Sequence, residues 1–242
     1  MYFGDTARLP YGKRSKQTVI QYSLQAARFL HSHNVQAIVI ACNTASSVAL
    51  NAVQLFLPHT TIRGVVEAGA RVATAASASG RIAVIGTERT VASKAYEVAI
   101  TRLNPDAMVR TKACPFLVSL AEEGWTDNAV ACMSIRKYLE PLFNEFGDRK
   151  PDCIILGCTH FSRFSNAIRQ MVGPDVRLID PADGVACEIK ALFPIPSLAK
   201  NNEDSVTFHA TDALQRFSRV GSFFLGEDIP AKSLQRVNLD NL

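Results

Sequence analysis

Short apolar runs alternate with longer amphipathic segments along this chain of 242 residues. The apolar runs at 35–41, 81–86 and 153–157 are rich in valine and isoleucine and predict β-strands. Between them, apolar residues recur at helical spacing, beginning with a helix that Ser15 is suited to cap. Strands that alternate with helices predict an α/β fold with parallel sheets, and the uninterrupted apolar character of IAVIG and CIILG predicts strands covered on both faces.

The rest of the chain continues this alternation. The N-terminal MYFGD resembles the end of a buried strand that runs into a polar loop, Thr6 to Arg14. Further expected helices lie at about 44–55, before Gly80, from about Thr90 with the apolar set Val91, Ala95, Val98 and Ile100, at 128–146, after His160, and before Pro194. Further expected strands are TIRGVVE (61–67), MVRTKAC (108–114), VRLID (176–180) and SVTFHA (205–210), whereas CPFLVSLAEEGWTD (114–127) is expected to be a loop.

Three chemically interesting residues, Cys42, Thr87 and Cys158, each follow a predicted strand. Right-handed crossovers bring the carboxyl ends of parallel strands to one rim, where ligands bind in open α/β sheets. The two cysteines are too far apart in sequence for one repeat unit, which favours two domains. We expect residues 1–66 and 180–242 to form the first domain and residues 67–179 to form the second.

The two cysteines occupy matching positions, Cys42 in AIVIACNTAS and Cys158 in CIILGCTHFS. A buried free cysteine is usually a small apolar core residue. Here, however, both thiols precede a predicted helix start, where unpaired amides and the helix dipole lower a thiol pKa. Two thiols that face one ligand from opposite sides can move a proton from one face of a carbon to the other.

The other four cysteines give no sign of a metal site or a disulfide framework, because no CxxC spacing occurs. Cys132, Cys153 and Cys187 lie within predicted helices or strands and are interpreted as core residues. Pro115 follows Cys114, so no helix amide is expected to reach that thiol. The absence of a disulfide pattern favours a reducing, cytoplasmic setting.

Several polar residues near the expected rim have two open interpretations each. His160 either assists the Cys158 thiol or hydrogen-bonds the backbone of the first helical turn. Glu122 and Glu123 are either solvated loop charges, or one of them faces inward as an acid or base. Pro10, Tyr11 and Gly12 either present backbone amides to a carboxylate or form an ordinary surface turn. Thr87 and Thr90 either bind an anion at a helix N-terminus or form an ordinary helix cap. The remaining histidines are interpreted as solvated or structural: His31, His33, His59 and His209.

Composition excludes some classes of function. The chain is 48% hydrophobic and 20% charged, which is ordinary for a soluble globular protein. Its 26 basic and 22 acidic residues include no basic run with interleaved aromatics, so nucleic-acid binding is not expected. No apolar stretch approaches the roughly 20 residues of a membrane span, and no signal peptide is evident. The net charge of +4 leaves a small anionic substrate open.

Taken together, the motifs resemble those of one known family. DTARLPYGKRS, VQAIVIACNTAS, GVVEAGA, VIGTERTVAS, PDCIILGCTHF and GPDVRLIDPADGVA occur in the order and spacing found in glutamate racemases. The resemblance covers nearly the whole chain. It implies two pseudo-symmetric α/β domains with the substrate in the cleft between them, a cofactor-independent and metal-free two-base mechanism, and a supply of D-glutamate for peptidoglycan in the bacterial cytoplasm.

The resemblance also implies roles for individual residues. Cys42 is expected to take the α-proton from D-glutamate and Cys158 from L-glutamate, with Glu122 and His160 assisting on the Cys158 side. The expected substrate-binding residues are Pro10, Tyr11, Gly12, Asn43, Thr44, Thr87, Thr90 and Thr159. Members of the family dimerise in more than one arrangement, so a homodimer stays open, and some bind a peptidoglycan precursor as activator.

The chain departs from the family pattern in two places. Family members begin with an additional strand and helix whose first loop reads approximately DSGxGG, and its Asp, which would assist Cys42, and its Ser, which would bind substrate, have no counterpart here. The smaller departure is Ala68, where the family usually has proline. We expect a truncated chain of an ordinary racemase, because both cysteines and the other matched positions are intact; the alternative is a short protein that has lost efficient catalysis.

Two competing functions stay open from the sequence. An aspartate or other amino-acid racemase would share the fold, and the depth of the side-chain carboxylate pocket would distinguish it. A truncated, non-catalytic binding module belongs to a different class, and the intact thiols argue against it. Thiol-disulfide chemistry is disfavoured because no resolving cysteine lies at a redox-motif spacing.

Overall fold

The structure is a computed structural model that describes residues 1–194 and 206–239. Its strands are β1 (Tyr2–Gly4), β2 (Ala37–Ile40), β3 (Thr61–Gly64), β4 (Arg81–Gly86), β5 (Met108–Ala113), β6 (Cys153–Gly157), β7 (Arg177–Ile179), β8 (Phe208–Ala210) and β9 (Leu234–Arg236). Its α-helices are α1 (Lys16–His31), α2 (Asn43–Phe56), α3 (Val65–Ala76), α4 (Glu88–Ala92), α5 (Ala95–Leu103), α6 (Pro115–Glu122), α7 (Ala129–Asn144), α8 (Ser165–Val172), α9 (Pro181–Leu192) and α10 (Leu214–Leu225). Strands and helices alternate as the hydrophobic pattern predicts.

The largest sheet has four parallel strands in the order β5-β4-β6-β7. Apart from Arg81 at the start of β4, its two central strands are apolar, and alternate residues point to opposite faces. Ile154 and Leu156 pack against α6, α7 and α8 on one face, whereas Ile155 packs against α3 and α5 on the other. Burying such a side chain contributes about 1.5 to 3 kcal/mol. This two-sided core fixes the strand ends that carry Thr87 and Cys158.

Two smaller parallel sheets lie in the rest of the structure. One pairs β2 with β3, and the other has the order β1-β8-β9, so strands from the two ends of the described chain are neighbours. Helix α1 contacts both sheets: Ala27 packs with Ile38 of β2, and the Phe29 ring lies 5.2 Å from that of Phe3 in β1. Among the described residues β1 and β2 do not pair with each other. The domain boundaries near 66 and 180 stay a prediction.

Helix caps account for several element boundaries. Ser15 caps α1 as predicted, with its hydroxyl accepting from the Thr18 amide at 3.2 Å. Asn128 and Asp180 cap α7 and α9 in the same way. Over the described residues, no helix combines the length and the apolar character needed to cross a membrane.

Two strand and loop predictions are wrong. TIRGVVE does not continue as a strand, because β3 ends at Gly64 and α3 begins at Val65. A β-carbon at Gly64 would lie 2.4 Å from the Ser46 hydroxyl, so the glycine allows the end of β3 to lie close to α2. The segment expected to be a loop contains α6, with Pro115 in its first turn and a buried apolar stripe at helical spacing, Leu117, Leu120 and Ala121.

The helix expected from Thr90 is instead two helices, because Lys94 takes a left-handed conformation with φ of 56° between α4 and α5. Val98, expected in the buried set, is 65% exposed. The segment after Cys158 starts as a 3-10 helix, Thr159–Phe164, before α8. The predicted strand SVTFHA begins at Ser205, outside the described residues, and the described strand is Phe208–Ala210.

Candidate active site

Cys42 lies between the end of β2 and the start of α2, where it is the N-cap residue. Its sulfur accepts a hydrogen bond from the Ala45 amide at 3.5 Å. Burial raises the pKa of the Cys42 thiol, the amides of Ala45 and Thr44 lower it, and the nearby charge of Cys158 raises it further. The amides at the helix start lower this pKa as expected, but burial outweighs them, so the expectation of a net lowering is wrong for Cys42.

Cys158 lies at the corresponding end of β6 and is 7% exposed. No backbone amide caps its sulfur; instead the Nδ1 atom of His160 lies 3.7 Å from it. Tyr96 links the two thiol segments: its hydroxyl donates to Asn43, which follows Cys42, and a β-carbon at Gly157, which precedes Cys158, would lie 3.2 Å from its ring. The structure therefore brings together the two cysteines that the repeated motif singled out.

His160 connects Cys158 to an acidic residue. Its Nε2 atom lies 3.4 Å from Oε1 of Glu122, which ends α6. Burial lowers the pKa of His160, but hydrogen bonds to Cys158 and Glu122 outweigh it and raise this pKa to about 9. The hydrogen bond to His160 in turn lowers the pKa of Glu122, against burial, which raises it. Of the two interpretations of His160, the geometry favours the one that assists the thiol.

Three threonine hydroxyls form a buried cluster beside the thiols. Thr44 Oγ1 of α2 lies 2.9 Å from Thr87 Oγ1 and 3.2 Å from Thr90 Oγ1, and the latter two are 3.0 Å apart. Thr87 also caps α4 by accepting from the Thr90 amide. Because these hydroxyls are rotatable donors next to helix N-termini, the cluster is suited to bind an anionic group such as a carboxylate.

The loop Pro10–Gly12 borders this cluster. A β-carbon at Gly12 would lie 2.7 Å from the β-carbon of Thr87, so the glycine permits a close approach of the loop to α4. The Tyr11 hydroxyl donates to Asp5, and burial followed by this hydrogen bond raises the pKa of Tyr11. Pro10 itself is exposed.

Asn43 and Thr159, the remaining predicted binding residues, have different surroundings. Asn43 is buried, and its Oδ1 accepts from the Tyr96 hydroxyl of α5 at 2.5 Å, which leaves its amide group free to donate. Thr159 is exposed, and its hydroxyl lies 3.3 Å from His160 Nδ1, the same nitrogen that faces Cys158.

The structure also corrects and extends the list of candidates. Cys153 is buried as expected, but Cys132 and Cys187 are exposed and are not core residues. Cys114 is buried at the start of α6, its sulfur accepts no hydrogen bond from an amide of that helix, and burial raises the pKa of this thiol to about 12. Sequence reasoning missed Tyr96 and Asp5, because their partners, Asn43 and Tyr11, are brought to them only by folding.

Comparison with known proteins identifies the family. The sequence profile described as "Asp/Glu/Hydantoin racemase" matches residues 2–188. The chain belongs to the Asp/Glu racemase family. It is 45% identical to the glutamate racemase of Geobacter metallireducens, over 93% of this chain and 83% of that protein, and 40% identical to the glutamate racemase of Neisseria meningitidis over the same shares.

Solved structures of racemases have the same fold. The glutamate racemase of Francisella tularensis in complex with D-glutamate aligns with a TM-score of 0.88 and 33% identity, over 100% of this chain and 88% of that chain. The glutamate racemase isoform RacE1 of Bacillus anthracis aligns with a TM-score of 0.88 and 33% identity, over 98% and 87%. As a racemase of this family, the chain has the paired α/β lobes that the motifs implied.

Replacing His160 by glutamine is expected to destabilise this racemase at pH 6 and less so at pH 10. The pKa of His160 is raised from 6.5 to about 9 in the folded chain, so its protonated form stabilises the fold fully below 6.5 and the stabilisation is lost as the pH rises through about 9. We expect a difference in unfolding free energy of roughly 1 to 3 kcal/mol at pH 6 in urea titrations. A difference that stays constant up to pH 10, or that appears equally in the exposed His59→Gln control, would contradict this.

Proposed function

We propose that this chain interconverts L- and D-glutamate by direct proton transfer between Cys42 and Cys158, without a cofactor. The observation that carries the proposal is the pair of thiols at corresponding strand ends, in segments that both contact Tyr96, with the charge of Cys158 raising the pKa of Cys42. The similarity to glutamate racemases over 93% of the chain supports glutamate as substrate. The complex of a 33% identical structure with D-glutamate supports it further.

The reaction needs one thiolate and one thiol. With D-glutamate, the Cys42 thiolate takes the α-proton, and the electron pair stays on the substrate as a carbanion stabilised by its carboxylate. The Cys158 thiol then protonates the opposite face, which leaves a thiolate on Cys158. For L-glutamate the roles of the two cysteines exchange. Each turnover therefore moves one proton onto and one proton off the enzyme.

The polar groups around the thiols stabilise the carbanion. An α-proton is weakly acidic, so donors aimed at the substrate carboxylate must stabilise the charge that develops there. The Thr44, Thr87 and Thr90 hydroxyls, which are buried and clustered, are assigned to this carboxylate. The other groups assigned to the substrate are Asn43, Thr159 and the loop Pro10, Tyr11 and Gly12.

His160 and Glu122 are assigned to the Cys158 side. The His160 pKa of about 9 keeps the ring protonated near neutral pH, and its Nδ1 atom lies 3.7 Å from the Cys158 sulfur, to which it can donate a hydrogen bond. Cys42 has two amide donors instead of an imidazole. The two sulfurs thus have different hydrogen-bond partners, backbone amides for Cys42 and an imidazole for Cys158.

The cellular role follows from the reaction. D-glutamate supplied by this racemase serves peptidoglycan synthesis in the bacterial cytoplasm, and six free cysteines fit a reducing compartment. A homodimer belongs to the same proposal.

The test of this function is loss of optical rotation from L-glutamate, measured beside L-aspartate. We expect the rotation of L-glutamate to decay to zero, because the enantiomers have equal free energy, and L-aspartate to react much more slowly. Faster racemisation of L-aspartate, or no change with either amino acid, would overturn the proposal.

Gly12→Ala is expected to impair substrate binding at the threonine cluster. The added β-carbon would meet Thr87 at 2.7 Å and push the loop or the hydroxyl out of position. We expect kcat/KM to fall by roughly tenfold to a hundredfold, with most of the change in KM. Lys13→Ala, an exposed change in the same loop, should retain normal kinetics; an unchanged KM in Gly12→Ala would show that the loop does not touch the substrate.

A further inference from the structure

The carboxylate of Glu122 is held from two sides. His160 Nε2 lies 3.4 Å from Oε1, and Arg216 Nη2 donates to Oε2 at 2.7 Å. Arg216 belongs to α10, which is distant from both partners in sequence. Each carboxylate oxygen therefore has its own cationic neighbour.

Helix α10 also contacts the histidine itself. The Phe224 ring meets the His160 ring edge to face, with centroids 5.3 Å apart. The guanidinium of Arg163, a residue of the 3-10 helix that follows Cys158, lies over the ring of Phe223 in α10, 4.1 Å from the ring centroid. These aromatic contacts place α10 against the segment that carries His160, and they bring Arg216 to Glu122.

Both contacts restrict the Glu122–His160 pair. A carboxylate bound through one oxygen only can rotate and exchange that partner for water, whereas an arginine on the second oxygen fixes its plane. The charge of Arg216 also lowers the pKa of Glu122, after the larger effect of the His160 hydrogen bond. An ionised, oriented Glu122 keeps one imidazole nitrogen occupied and leaves the other, Nδ1, facing the Cys158 sulfur.

We propose that Arg216 is a positioning residue for proton transfer at Cys158, acting through Glu122 on His160. This inference rests on the proposed function, because it assigns Arg216 to one half of the two-thiol cycle. Arg216 holds the carboxylate that orients the imidazole. Its loss should slow the steps at Cys158 and leave those at Cys42 unchanged.

Rates alone do not reveal which thiol is affected. The two enantiomers have equal free energy, so kcat/KM must fall equally in both directions. Primary isotope effects do separate them, since the α-deuteron of L-glutamate is taken by Cys158 and that of D-glutamate by Cys42. Slower chemistry at Cys158 makes removal of the L-deuteron more rate-limiting, and it lets the D-deuteron return before the second step is complete.

The experiment compares Arg216→Gln with wild type and with Arg219→Gln, which removes the same charge from an exposed position on the same helix. In Arg216→Gln we expect kcat to fall about tenfold with KM nearly unchanged. The isotope effect on kcat/KM should rise with α-deuterated L-glutamate and decrease with α-deuterated D-glutamate. Arg219→Gln should match wild type, and Arg216→Lys should recover part of kcat.

A double variant checks that Arg216 acts through Glu122. Arg216→Gln combined with Glu122→Gln should be no slower than Glu122→Gln alone, because the residues belong to one chain of contacts. Wild-type kinetics in Arg216→Gln, isotope effects that change in parallel for both enantiomers, or additive losses in the double variant would each overturn the inference. A wild-type chain that racemises neither enantiomer would instead refute the proposed function.

Discussion

Cys42→Ser is expected to reduce racemisation by about 10³-fold or more. A serine hydroxyl has nearly the same shape but is a far weaker acid than a thiol, so it cannot take the α-proton of D-glutamate near neutral pH. The loss should appear in both directions, because every turnover uses both bases. Stopped assays of both enantiomers by chiral chromatography measure it.

The matched control for this change is Cys132→Ser. Cys132 is exposed on α7, so the same chemical substitution there should leave the rate within about twofold of wild type. If Cys42→Ser retained more than a tenth of the wild-type rate while folding normally, Cys42 would not be a base in the reaction.

Cys158→Ser is expected to cause a loss of similar size, about 10³-fold, and to change the titration of His160. Hydrogen bonding to the Cys158 sulfur and to Glu122 raises the pKa of His160 to about 9, against burial. Without the sulfur this pKa should fall, since one of the two interactions that favour the protonated ring is removed. NMR titration of the His160 ring protons follows the shift directly.

Cys187→Ser serves as the control, because Cys187 is exposed on α9. It should alter neither the rate nor the His160 titration. A Cys158→Ser protein whose His160 titrates as in wild type would show that the imidazole does not interact with this thiol, even if the rate fell.

The sequence located the two thiols because each is the end of a local pattern. A β-branched strand, a small residue and a helix start define the positions of Cys42 and Cys158 within ten residues of chain. Parallel-sheet topology then brings strand ends to one rim without further information. The positions of both thiols therefore follow from one local sequence pattern that occurs twice in the chain.

Other features depend on contacts that no local pattern contains. Arg216 reaches Glu122 from α10, and Tyr96 reaches Asn43 from α5, so neither has a signal in its own segment. The upward shift of the Cys42 pKa depends first on burial, which the helix start alone does not reveal.

The errors in secondary structure have similar causes. The segment expected to be a loop instead forms α6, because proline is well tolerated in the first turn of a helix and the apolar residues that follow Pro115 cover β4 and β6. The break between α4 and α5 is at Lys94, and lysine is not a residue type from which a left-handed conformation is predicted. Glycine or proline at that position would have marked the boundary.

The most direct test of the two-thiol account is incorporation of deuterium at the α-carbon of glutamate in D2O, followed by mass spectrometry from each pure enantiomer. We predict rapid incorporation by the native chain, with deuterium appearing in the newly formed enantiomer, and its loss in both Cys42→Ser and Cys158→Ser. Incorporation at the wild-type rate in both variants would contradict the account, because the proton would then be moved by groups other than Cys42 and Cys158.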